Sequence, residues 1–132
     1  MSNDHTTIMN RYIRELDTIA QKSAFYSASH VPNATRKYSG QAQASTRIGV
    51  GSPDTSVTLA AVYAPNAISN PIGRAVSRFQ TASRRISIGT TVYVTNNLPY
   101  IRKLEYGYGD LMFAKAISKW QQDVERAVND IN

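Results

Sequence analysis

Two stretches with a helical apolar period enclose a middle that has none, and this arrangement limits the fold more than any other feature of the chain. From Thr6 to about Ser27, Met9, Tyr12, Ile13, Leu16, Ile19 and Ala20 recur at the spacing of one helix face. Asn3, Asp4 or Thr6 is suited to cap this helix, and Pro32 is expected to have ended it by Val31, because proline disfavours helical geometry in the residue before it. At the other end Phe113, Ile117, Trp120, Val124, Ala127 and Ile131 follow a three-four-three spacing, with Asp110 as the expected N-cap. Trp120 is the expected core anchor of that helix, so its truncation to alanine should cost about 3 to 5 kcal/mol.

The middle is extended or turned. Ala42 to Val50 has the Thr, Ile and Val content of a strand, closed by Gly51-Ser52-Pro53-Asp54. Thr55 to Tyr63 fits either a strand or the start of a helix. After a loop between Pro65 and Pro71, the spacing of Ile72, Ala75, Val76 and Phe79 predicts a short helix over Ile72 to Ala82. Arg85 to Thr95 alternates through Ile86, Ile88, Val92 and Val94, the pattern of a half-buried strand. Asn96-Asn97 turns the chain, Pro99 suits the first turn of another short helix, and Tyr106-Gly107-Tyr108-Gly109 breaks it. The reading is α+β in one domain, 1–132, with a small antiparallel sheet packed against a long N-terminal and a long C-terminal helix and short helices in between.

Composition narrows the class. A chain of 132 residues buries enough surface for a core without staples, and the absence of cysteine excludes disulfide frameworks, cysteine-zinc sites and thiol nucleophiles. No apolar run approaches the ~20 residues of a membrane span and the first residues are polar, which predicts a soluble protein kept inside a cell. The formal charge of +6 is not spread evenly. Both ends sum to zero, whereas Pro32 to Thr90 carries Arg36, Lys37, Arg47, Arg74, Arg78, Arg84 and Arg85 against Asp54. Arginine suits bidentate contact with carboxylate or phosphate.

Catalytic patterns are not found. His5 and His30 stand far apart in sequence without the spacing of a metal or nucleophile motif, so no metal, cofactor or turnover is expected. Acidic residues such as Glu15, Asp17, Glu105, Asp123 and Glu125 mostly lie within a helical turn of Lys or Arg and read as surface pairs. Gly49-Val50-Gly51 reads as a turn, not a phosphate loop. Asn33-Ala34-Thr35 and Arg84-Arg85-Ile86-Ser87 match short modification patterns of low specificity.

The most distinctive stretch is Thr90 to Gly109, TTVYVTNNLPYIRKLEYGYG. It resembles the signature of the tail-completion (head-to-tail joining) family of tailed-bacteriophage minor tail or neck proteins, in which a strand reading V-Y-[IV]-x-N-N-x-P-Y leads into a short helix ending L-E-Y-G. Tyr93, Asn96, Asn97, Pro99, Tyr100, Glu105, Tyr106 and Gly107 carry the match and are expected to define the fold of this unit. The order of the remaining segments also agrees. Val31 to Arg36 departs from the family's Pro-Val-Asp-Thr-Gly-Arg, and the loop after Tyr-Gly is shorter here.

The resemblance implies a structural virion protein assembled in the host cytoplasm. Its place would be a homo-oligomeric ring, commonly of six copies, at the head-tail junction. Its partners would be the tail tube or tail terminator and the head-completion or connector proteins, with possible non-specific DNA contact in the channel. Arg74, Arg78, Arg84 and Arg85, close together without an intervening acid, are the candidate interface. Acidic surface on neighbouring rings is the expected counterpart. The alternative is a small basic nucleic-acid-binding protein that contacts phosphates through the same four arginines.

Overall fold

The computed structural model of the chain describes residues 3–131. Helix α1 spans Asn3–Ala34, α2 Gln41–Ala44, strand β1 Thr46–Val50, α3 Pro71–Ser83, β2 Val92–Asn96, α4 Met112–Ser118 and α5 Trp120–Ile131, with a π-helical turn at Lys103–Gly107. The strands pair antiparallel, with Thr46 opposite Asn96, Ile48 opposite Val94 and Val50 opposite Val92. The α+β expectation of a small antiparallel sheet between long terminal helices holds. No helix among the described residues is long and apolar enough to cross a membrane.

Two apolar clusters lie along α1. The first joins Ala24 and Ala28 to Ile48, Ala75, Phe79, Ala82 and Ile86. The second joins Val31 to Ala42, Leu98, Leu104, Met112 and Ala116. Val94 of β2 packs against both, so the sheet ties them together.

Helix α1 runs through Pro32, against the expectation that it ends by Val31. Val31 and Pro32 are fully buried, which favours the helical path. Side chains near the end of the helix donate to its last carbonyls, Asn33 Nδ2 to Ser29 O at 2.7 Å and Thr35 Oγ1 to Val31 O at 2.6 Å. Gln43 Nε2 then donates to Thr35 O at 3.1 Å, a tertiary cap on the end of α1. The helix begins at Asn3, so Asp4 lies in its first turn and favours the helix dipole, while the residue before Asn3 is outside the described ones.

The two strands are shorter than their sequence patterns. Gln41–Ala44 is helical, because Gly40 turns the chain at φ 94° and Gln and Ala are good helix formers. β1 ends at Gly51-Ser52-Pro53, and Gly49 lets that turn fold back over the strand: a Cβ there would lie 2.2 Å from Ser52 O. Arg85 to Thr91 therefore has no strand to pair with. It forms turns instead, closed by Ile86 N to Ser83 O at 3.0 Å and Thr90 N to Ser87 O at 3.1 Å.

The C-terminal helix is also different in detail. It is interrupted at Lys119, and the face turned inward carries Met112, Ala116, Asp123 and Ala127. Ile117 is 75% exposed and Trp120 49% exposed, so Trp120 is not the core anchor. The reason lies on α1, which meets this helix with small and polar side chains. His30 Nε2 lies 2.8 Å from Asp123 Oδ1, Tyr26 hydrogen-bonds Asp130, and Arg126 sits 3.9 Å above the Tyr26 ring. These contacts rotate the helix away from its apolar stripe. Asp110 is not the N-cap either, since α4 starts after Leu111 in left-handed geometry and Asp110 is held by Arg36.

Candidate functional site

The signature segment forms one continuous unit. From β2, the buried Asn96 donates through Nδ2 to Ala42 O at 2.7 Å and accepts Leu98 N at 3.3 Å. Asn97 is exposed and donates to Asp54 O at 3.3 Å. After exposed Pro99, the Tyr100 hydroxyl accepts Gln41 Nε2 at 3.2 Å, and burial pushes this phenol above its ordinary pKa. The π-helical turn widens the backbone so that consecutive residues Leu104 and Glu105 are both buried, with Tyr108 N bonded to Lys103 O at 2.8 Å. Tyr93, Tyr106 and Gly107 face outward. Glu105 is not a surface pair: its carboxylate accepts Phe113 N and Ala114 N at the start of α4.

Tyr100 opens onto a cleft of about 720 Å³, whose wall also includes Tyr38, Tyr63, Tyr108, Arg36 and Lys103. The Tyr38 and Tyr63 rings lie 4.9 Å apart, and Arg36 stacks 4.7 Å from the Tyr108 centroid. Arg36 also binds Asp110 through Nε at 2.8 Å and its backbone N–H at 3.0 Å. For Asp110, burial alone raises the pKa, but the hydrogen bonds and charge of Arg36 outweigh it and hold the carboxyl below its usual range.

The four candidate arginines do not share one surface. Arg74 is folded back on Ser69, with Nε 2.7 Å from Ser69 O. Arg84 lines a depression with Lys22, Phe25 and Tyr26. Arg78 and Arg85 instead meet Arg47, Asp54, Ser77 and Thr81 around a cavity of about 280 Å³. Arg47 was legible only as part of the basic middle. The structure makes it the floor of this cavity, 5% exposed, bonded to Ala44 O at 2.6 Å, Ser56 Oγ at 3.0 Å and Thr58 Oγ1 at 2.9 Å. Burial lowers its pKa and neighbouring Arg78 lowers it further. The spacing of Ser77, Arg78 and Thr81 marks one helix face and was the available sequence signal; the approach of Arg47 was not.

A third surface is apolar. Met9, Tyr12, Ile13 and Leu16, which share one face of α1 by their spacing, are exposed, Met9 by 58%. The stripe leads into an apolar groove of about 570 Å³ lined by Leu16, Ile19, Ile88, Val92, Trp120 and Val124. Its apolar residues continue along one side of α1, and among the described residues nothing covers them.

Among the described residues no three His, Asp or Glu side chains cluster as a metal site. Compared with protein-family models, curated proteins and solved structures, the chain has no match.

Proposed function

We propose that the chain is a structural subunit of a tailed-bacteriophage neck, forming a ring that joins the tail to the head-completion complex. The observation that carries this reading is the uncovered stripe Met9, Tyr12, Ile13 and Leu16 running into the groove beside Trp120. Large contiguous apolar surface of this kind belongs to protein interfaces. A subunit whose helix extends beyond its own core is completed by neighbours, and rotational closure multiplies one such contact around a ring. The resemblance of Tyr93 to Gly107 to the tail-completion family supplies the place of that ring, at the head-tail junction in the virion.

The arrangement of the basic residues favours this over a nucleic-acid track. Arg74, Arg84 and the pair Arg78 with Arg85 occupy separate places, where a phosphate backbone would be followed by a continuous row. The test uses DNA-filled heads and tails assembled without this chain. Added wild-type protein restores joined, infectious particles, whereas Ile13→Asp, folded by circular dichroism, does not. Equal joining in the absence of the protein rejects the proposal.

A further inference from the structure

The cavity between β1 and α3 holds like charges with no counter-charge bonded to them. Arg47 Nη1 and Arg78 Nη1 both donate to one acceptor, Ala44 O, at 2.6 and 3.1 Å. Two guanidinium groups are thereby drawn to one carbonyl oxygen. Among the described residues, none of Arg47, Arg78 and Arg85 lies within salt-bridge distance of a carboxylate. Asp54 shares the cavity, but its Oδ1 is taken by the Ser56 N–H at 3.0 Å and the Ser56 hydroxyl at 2.6 Å.

Donors remain free around this charge. A guanidinium has five N–H groups. Arg47 uses four of them on Ala44 O, Thr46 O, Ser56 Oγ and Thr58 Oγ1. Arg78 uses one, and Arg85 uses none among the described residues. The Ser77 hydroxyl has no partner there either and lies on α3 with Arg78 and Thr81, while Arg85 reaches the same cavity from the turn just past the end of the helix. Three guanidiniums against one carboxylate leave two positive charges uncompensated in a concave site with a buried floor.

We propose that this cavity binds a dianionic phosphate group, held by Arg85, Arg78 and Ser77 above the fixed charge of Arg47. Tetrahedral oxygens accept from several directions at once, and the dianion matches the excess charge. A phosphate here also offsets the repulsion between Arg47 and Arg78, against which the single charge of Asp54 is the counter-charge in the cavity lining. The group can arrive as free phosphate or as a monoester, both of which present a dianion near neutral pH, whereas a nucleic-acid backbone diester carries one negative charge and matches the excess less well.

The experiment titrates inorganic phosphate into the full chain at constant ionic strength, with chloride as the reference, and follows backbone amide shifts and Tm. Saturable shifts at Ser77, Arg78, Thr81 and Arg85, with a rise in Tm that chloride does not give, are the expected result. Arg85→Gln and Ser77→Ala, both at exposed positions, keep the fold, and Arg85→Gln weakens phosphate binding roughly tenfold. Arg84→Gln, whose side chain lines the other depression, binds phosphate as the wild type does. A phosphomonoester is expected to compete with free phosphate and a short DNA duplex is not; displacement by the duplex would overturn the preference for a dianion. Equal effects of chloride and phosphate, or equal losses in Arg84→Gln and Arg85→Gln, overturn the site.

Discussion

The Glu105 carboxylate accepts the backbone N–H of Phe113 through both oxygens, at 3.2 and 3.1 Å, and Oε1 also accepts Ala114 N at 3.1 Å. Glu105 thus does from the preceding turn what an N-cap side chain does locally. The residue in the N-cap position is Leu111, which has no polar group to offer and whose φ is 48°. A negative charge against the first N–H groups of α4 also favours the helix dipole. The L-E-Y-G part of the signature is therefore a fold-forming device that links the π-helical turn to the C-terminal helices.

Replacing this carboxylate exposes the link. Glu105→Ala leaves two part-buried N–H groups at the start of α4 without this acceptor and is expected to cost about 1 to 2 kcal/mol. Glu105→Gln retains an oxygen but no charge and is expected to cost about 1 kcal/mol. Urea unfolding measures both; a loss below about 0.5 kcal/mol in the alanine variant would remove Glu105 from this role.

The paired asparagines of the signature are unequal. Asn96 is buried and bridges β2 to Ala42, whereas Asn97 is exposed. Asn96→Ala should lower stability by about 2 kcal/mol, the range for a buried side chain that leaves its partners unsatisfied. Asn97→Ala should stay within about 0.5 kcal/mol. Thermal unfolding of the two variants side by side decides it, and equal losses would contradict the difference in burial.

Phe79 and Trp120 separate core from surface. Phe79 is fully buried in the first cluster, and Phe79→Ala should cost about 3 to 5 kcal/mol. Trp120→Ala should cost about 1 kcal/mol in the isolated chain, because half of the ring is already in water. If the groove beside Trp120 is an interface, the same variant is impaired in assembly far more than in folding. Denaturant midpoints alongside the head-tail joining assay compare the two effects.

Acid should loosen the contact between Arg36 and Asp110. The Asp110 carboxyl is depressed on folding, so the unfolded chain binds the proton more readily. Its stabilisation is complete above the unfolded pKa and is lost as pH falls through the lower folded value. Asp54, held down first by the Ser56 hydroxyl, adds in the same direction. Stability measured by urea unfolding should therefore decline below about pH 4, and Asp110→Asn should make that decline shallower. An unchanged slope in the variant would show that Asp110 carries no such linkage.

Local pattern was enough for much of the architecture. The α+β class, α3 within a residue at each end, the strand around Val92 to Val94 and the turn at Asn96-Asn97 all follow from periodicity and turn chemistry, which act over a few residues. Periodicity also marked the apolar stripes of α1 and the C-terminal helix. It carries no information about what meets a stripe. Trp120 is expected in the core because an apolar face is usually buried, yet it is half exposed, and the stripe from Met9 to Leu16 is likewise uncovered among the described residues.

Packing between distant segments settled the rest. Pro32 stays within α1 because it and Val31 are fully buried there, which offsets the missing N–H. Asp123 turns inward because His30 awaits it on α1, and Asp130 meets Lys22 and Tyr26 at the exposed edge of the same contact. Arg47, buried without a carboxylate, meets Arg78 only because β1 lies against α3. Each of these depends on partners dozens of residues away, and a local spacing rule cannot register a partner that only the folded chain brings into reach.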